Sequence, residues 1–339
     1  MFLFAQVQPV PRDIPLPLPM PEWILVPLII ISFLLHILFI NLMVGGTALE
    51  IIAQVLGLKD KKYDVLAREI ASTITVNKSL AVVLGVAPLL IINTLYTVYF
   101  YSANALTGWA FISIIPLVAT AFLIIYYHKY NWDKFENKKK LHIAILSTAF
   151  LIFMFVPLIF LSNINLMLFP DKWGEVSGFI SSVFLWNVIP RYFHFLAGTM
   201  AVTGLFIVLY FGRKKYPFEE RLHGFTRDDI KRKGYQLTFW VTVSQIIWGP
   251  LLFFTLPWRG VTWGLAYIII TGIVFALAAL FFLYKEIKSA NPGRFLLLII
   301  MLISITVACM GFGRHTYREN AITPHRELMQ EKTQQYYPM

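Results

Sequence analysis

The chain has 339 residues, 58% of them hydrophobic and only 14% charged, with a net charge of +11. Soluble domains carry about 25% charged residues, so this composition excludes a soluble globular protein, and with it disorder, a collagen and a disulfide scaffold. The single cysteine, Cys309, excludes an internal disulfide, a CxxC metal site and a CxxCH haem attachment.

In chain order, residues 1–22 read as a proline-rich lead lying extended on the membrane surface. No basic stretch precedes an apolar run there, so a cleaved signal peptide is not expected. Eight apolar runs follow, each long enough to cross about 30 Å of hydrocarbon as a helix. They cover Trp23 to Leu56, Leu80 to Tyr101, Leu106 to Tyr127, Leu141 to Leu161, Ser182 to Phe211, Gln236 to Leu256, Val261 to Leu283 and Phe295 to Gly313. The runs are not the alternating pattern of barrel strands. The fold expected is all-α: a polytopic membrane bundle over 23–313, closed by an outward polar tail over 314–339.

Charge orients the bundle. Five basic residues lie in 57–79, five in 128–140, eight in 212–235 and three in 284–294, which is 21 of the 29. That excess places these loops in the cytoplasm and both termini outside. Positive charge in short loops between spans is an orientation signal, and no nucleic-acid partner is expected. Trp23, Trp109, Trp132, Trp173, Trp258 and Trp263 fall near span ends, where indoles prefer to sit.

Ionisable groups inside a membrane are costly and mark function. His36 lies in the first span and His194 in the fifth. Arg191 precedes His194 by one helical turn on the same face, and Arg314 and His315 stand at the outward end of the eighth span. Glu50 lies in the cytoplasmic half of the first. A membrane histidine can be a haem ligand, a proton relay, a metal ligand or a hydrogen-bonded core residue. Relays usually bring intramembrane carboxylates, nearly lacking here. Metal sites need three or four donors. A haem needs one or two axial ligands and an aromatic-lined apolar slot, and 16% of this chain is aromatic. Gly45, Gly46, Gly198 and Gly204 would leave room beside the two histidine-bearing helices. In Asn187-Val-Ile-Pro-Arg-Tyr-Phe-His194, an arginine one turn outward of the histidine is placed to hold a haem propionate; a snorkelling arginine beside an unrelated histidine is the alternative. His128, His142, His223 and His325 read as solvated.

Four features then occur in order along about 290 residues: Leu35-His36-Ile37-Leu38-Phe39; Leu84-Gly85-Val86 in a span ending Tyr99-Phe100-Tyr101; His194 with its small-residue continuation to Gly204; and Phe312-Gly313-Arg314. In this the chain resembles subunit I of the cytochrome bd quinol oxidases, as a divergent, shortened relative. The resemblance implies that His36 is a first-span haem ligand, that His194 is the ligand of a low-spin haem b, and that Arg314 is the motif arginine near the propionates. It implies one or two haem b groups, a possible quinone, and other membrane subunits as partners. The departures are specific. The family's methionine ligand falls near Ile268 and its eighth-span glutamate near Ser304. Its third-span acidic residues have no counterpart in Ile112–Tyr127, and its quinol loop shrinks to about Leu256–Val261. His315 and Met310 are the remaining candidates for a sixth ligand. These losses strike at oxygen reduction, so the expected role is electron transfer between the quinone pool and a periplasmic c-type cytochrome, in a bacterial or archaeal cytoplasmic membrane. A terminal oxygen reductase subunit and a cofactor-free anchor of a respiratory assembly are the alternatives.

Overall fold

A computed structural model describes residues 18–336; within it, the side chains of residues 74–80 and 336 are not described. The secondary structure is helical, with no strand among the described residues. The elements are α1 (Glu22–Gly57), α2 (Lys61–Leu95), α3 (Thr97–Thr107), α4 (Trp109–Tyr130), α5 (Lys139–Leu166), α6 (Phe179–Val183), α7 (Val188–Gly212), α8 (Phe218–Arg221), α9 (Arg227–Phe254), α10 (Trp263–Lys288) and α11 (Leu296–Tyr336). Among the described residues seven helices are long and apolar enough to cross a membrane, and the bent pair α2–α3 makes an eighth span if it is counted as one. The chain is therefore a polytopic all-α membrane bundle, as its composition requires. Residues 1–17 of the proline-rich lead lie outside the described residues.

Local chemistry starts the helices where the chain enters the bilayer from the cytoplasmic and outward loops. Asp60 caps α2, its carboxylate accepting from the Lys62 amide at 3.2 Å. Thr226 and Asp229 form a reciprocal capping box at the start of α9, which satisfies two otherwise orphaned backbone donors. Thr262 caps α10, accepting from the Leu265 amide.

Helix contacts divide the spans into two groups. α1, α2, α4 and α5 close a four-helix bundle, while α7, α9, α10 and α11 follow one another around a second. The two groups join along α1 and α7. There Asn41 Oδ1 accepts from Thr199 Oγ1 at 2.9 Å and the Asn41 carbonyl from Thr203 Oγ1 at 3.0 Å. Gly45 is the close-approach point, because a Cβ on it would stand 2.2 Å from Thr203 Oγ1. In hydrocarbon, such small residues let backbones meet where no hydrophobic drive exists. α7 packs on α9 by the same means: a Cβ on Gly204 would meet Thr238 Oγ1 at 2.5 Å and the Gly234 carbonyl at 2.8 Å. Gly45 and Gly204 are thus spent on helix contact and leave no room for a cofactor.

Two segments depart from the sequence reading. The second span is not straight. It bends by 111° at Tyr96, so that α3 runs across the outward end of the bundle. The bend buries Tyr96, Tyr99 and Phe100 in one cluster with Trp173, Ile322 and Met329. The polar tail also differs: α11 continues through it to Tyr336, one helix of 41 residues. Tyr317, Arg318, Ala321, Ile322, His325 and Met329 are buried along one stripe of that extension, at the three- and four-residue spacing of a packed helix face. His325, expected in solvent, lies under Tyr99 and Trp173 with its Nδ1 3.3 Å from the Tyr99 hydroxyl.

Candidate functional site

α1 and α7 both descend from the outward side, and their contacts centre on an offset of 158 residues. The same offset sets His36 level with His194, and Phe33 level with Arg191. The two histidines nevertheless face away from each other. His36 turns into the first bundle, where its Nδ1 lies 3.0 Å from the Ala81 carbonyl of α2. A carbonyl only accepts, so Nδ1 carries the proton and Nε2 presents its lone pair. This is the tautomer that a metal-ligating histidine adopts. Gly85 makes the space: a Cβ there would sit 2.8 Å from His36 Cε1 and 3.1 Å from Nδ1. His194 turns into the second bundle, toward α9, whose Gln245 amide donates to the His194 carbonyl at 3.0 Å. The Nδ1 of His194 is buried without a hydrogen-bond partner, as is Gln245 Oε1. Gln245 lies beside Gly198, one turn below, while a Cβ on Gly249 would meet nothing within 4 Å. Phe193 and Trp248 stack at 4.7 Å beside this face. The two histidines thus contact different helices, His36 meeting α2 and His194 meeting α9.

Cations gather one turn outward of His194. Arg191 donates from Nε (2.8 Å) and from Nη2 to Asn187 Oδ1. Asn187 holds the left-handed conformation (φ 43°), the only non-glycine residue among those described to do so. Its own amide donates to the Leu252 carbonyl and to Thr255 Oγ1, both at 2.8 Å, at the end of α9. Arg314 of α11 lies over the Phe33 ring at 4.4 Å, and its Nε has no partner. Arg318, one turn further along α11, lies over Tyr96 at 4.9 Å. The three guanidiniums are close enough for their charges to oppose one another. Among the described residues none of them forms a salt bridge. Arg191 also sits in the first turn and a half of α7, where the helix dipole adds positive potential. Arg318 is buried and Arg191 and Arg314 are half-buried; grouped cations without counter-ions in so apolar a setting are costly, so this arrangement asks for an anion.

The other two candidates lie elsewhere. Met310 turns toward α10, its Cε at 3.0 Å from where a Gly272 Cβ would be. It is 37% exposed. His315 joins an outward cluster, with Nδ1 3.3 Å from the Tyr96 hydroxyl, which donates to Glu319; Glu319 in turn accepts from Arg326 at 3.2 Å. Geometry thus brings together His194, Arg191 and Arg314, adds Arg318, Asn187 and Gln245, separates off His36 and Met310, and joins His315 to the arginines through Tyr96, which Arg318 covers. Asn187 was legible as a polar residue in the turn before α7. Arg318 was hidden by the assumption that its segment is a tail. Ile268, where the family's methionine would fall, packs near Gly313, the residue before Arg314: a Cβ on Gly313 would meet its Cγ2 at 3.5 Å.

No protein-family model matches this sequence, and no curated protein does. Among solved structures, the chain is similar to a bd oxidase from Geobacillus thermodenitrificans, at 13% sequence identity and a TM-score of 0.69, over 88% of this chain and 87% of that one. At that identity the likeness is one of fold: the helix arrangement is bd-oxidase-like across almost the whole chain.

Proposed function

We propose that this protein is a haem b-holding subunit of a respiratory complex in a bacterial cytoplasmic membrane, assembled with other membrane subunits. It passes electrons between the quinone pool and an outward-facing partner, a c-type cytochrome. The observation that carries this reading is the partnerless Nδ1 of His194 with Arg191, Arg314 and Arg318 gathered outward of it, none of them in a salt bridge among the described residues. A flat, apolar cofactor with a metal at its centre and carboxylates at one edge answers both needs at once. The bd-oxidase-like fold supports it.

A haem b held there supplies a one-electron couple. The chain's residues do the rest. His194 offers its imidazole in the second bundle. His36 offers Nε2 in the first, with its tautomer held by the Ala81 carbonyl, so it would serve a second haem group. Arg191 and Arg314 hold propionates by charge-assisted hydrogen bonds. Phe193, Trp248 and the surrounding aliphatic side chains exclude water, which tunes the potential through burial.

A dithionite-reduced minus oxidised spectrum of the purified protein, with a pyridine haemochrome assay, tests this. The expected result is a b-type signal, part of which is lost in His194→Ala and a distinct part in His36→Ala. Well-folded protein with no such signal overturns the reading and leaves a cofactor-free anchor. Cyanide-sensitive oxygen uptake by the purified complex would instead make it a terminal oxygen reductase, a role for which the residues at Ile268 and Ser304 provide no ligands.

A further inference from the structure

At the cytoplasmic end of the first bundle, far from the arginines, four polar side chains are sealed from solvent. Glu50 and Gln54 come from α1, His128 from α4 and His142 from α5, and none is more than 2% exposed. Glu50 and Gln54 are one turn apart on a single face. His128 Nδ1 lies 3.3 Å from Glu50 Oε1, and its Nε2 lies 2.8 Å from the Gln54 amide nitrogen. The His142 ring stacks on His128 at 3.7 Å, and Trp132 meets both rings edge-on. Phe135 stacks in turn on His142 at 5.1 Å.

We propose that Glu50, Gln54, His128 and His142 form a proton-binding site that exchanges one proton with the cytoplasmic side, the proton residing on His128 opposite Glu50. The hydrogen bonding accommodates both states of that ring. With the amide as it stands, the Gln54 N–H donates to Nε2 and His128 is neutral, its Nδ1 proton facing the carboxylate. With the amide turned over, Gln54 Oε1 accepts from Nε2–H and His128 is an imidazolium. An amide is nearly isosteric on turning. Gln54 Oε1 has no hydrogen-bond partner in the present orientation, so turning breaks no bond on that side.

The helices select which histidine takes the proton. His128 lies in the last turn of α4, where the dipole favours a cation, whereas His142 lies in the first turn of α5, where it disfavours one. His142 Nε2 also donates to the His128 carbonyl at 2.9 Å while its Nδ1 has no acceptor, so a neutral ring satisfies the bonding there and offers its face to a cation. Adding the proton converts a buried carboxylate beside a neutral ring into an ion pair, which lowers the penalty of burying Glu50.

Other charged groups around the site are engaged. Lys139 of α5 pairs with Asp64 of α2 at 2.7 Å, and Asp133 of the turn after α4 pairs with Arg68 of α2 at 2.9 Å. Lys129 stands over Tyr130. α2 also carries Lys78, in the segment whose side chains are not described.

The test is infrared pH-difference spectroscopy of the intact protein in nanodiscs, with isotope-labelled histidine, and it needs no haem. Wild type is expected to show a paired carboxylate and imidazole response to pH. Glu50→Gln should lose the carboxylate bands and shift the imidazole bands. Gln54→Leu, a milder change, should move the imidazole midpoint by about one to two pH units, the worth of a hydrogen bond to a charged ring. His142→Phe keeps the stack and should retain both responses. Spectra unchanged by both Glu50→Gln and Gln54→Leu overturn the proposal, as does a response lost in Lys78→Met but kept in Glu50→Gln.

Discussion

Replacing Gly85 by alanine tests the seat of His36 with a single methyl group. The new Cβ would lie 2.8 Å from His36 Cε1 and 3.1 Å from Nδ1, closer than carbon and nitrogen tolerate. The ring cannot simply swing aside, because its Nδ1 is tied to the Ala81 carbonyl one turn away on the same helix at 3.0 Å. Overpacking of this kind costs about 1–3 kcal/mol, and loss of that hydrogen bond adds about 0.5–1.5 kcal/mol. Alanine in place of a helical glycine returns about 1 kcal/mol. The net expectation is a destabilisation of about 1–3 kcal/mol, with the His36 share of any b-type spectrum lost or shifted while the His194 share stays. Thermal unfolding in detergent, followed by circular dichroism alongside the reduced-minus-oxidised spectrum, measures both. Gly249→Ala is the control, since nothing lies within 4 Å of its Cβ, and it should be neutral or slightly stabilising. A Gly85→Ala protein as stable as wild type with an unchanged spectrum would refute the argument that His36 is wedged and oriented by α2.

Gly204→Ala should be more costly, about 3 kcal/mol, because the obstacle at 2.8 Å is the Gly234 backbone carbonyl, not a movable side chain; proteolysis of the α7–α9 hairpin reports the loss. Asn187→Gly should keep the left-handed turn yet free Arg191, so it should shift the potential of any haem that His194 holds while leaving helix content unchanged; an unmoved potential argues that Arg191 faces no cofactor carboxylate. In the cytoplasmic loop, Tyr216 donates to Glu69 at 2.7 Å, and burial first, then that carboxylate, raise its phenol above the ordinary range. Its folded form therefore favours the protonated phenol. The stabilisation is full below about pH 10 and falls at higher pH as the unfolded chain ionises. The gap in melting temperature between wild type and Tyr216→Phe should shrink above that pH, and a constant gap would contradict the assignment.

Much of this molecule could be read from the chain alone. The number of apolar runs, their helical character and the bias of lysine and arginine to alternate loops follow from transfer energetics, which act on each segment independently of its neighbours. His194 with Arg191 one turn outward was legible for the same reason, since a helix fixes what lies three residues away. Only the tertiary structure decided what depends on contacts between distant segments. The bend at Tyr96 exists because Tyr96, Tyr99 and Phe100 find burial against residues more than two hundred positions later, and a continuous apolar run does not announce that. The extension of α11 is likewise stabilised by the surface it covers, so a polar composition suggested a tail. His128 and His142 flank a basic loop and looked solvated, yet helix packing closes over them and sets them beside Glu50 and Gln54. The two membrane histidines share one depth, but the direction each faces is set by which neighbour supplies a carbonyl or a gap. That choice belongs to the packing of α1 against α2 and of α7 against α9, where glycines let backbones approach, and no local pattern encodes it.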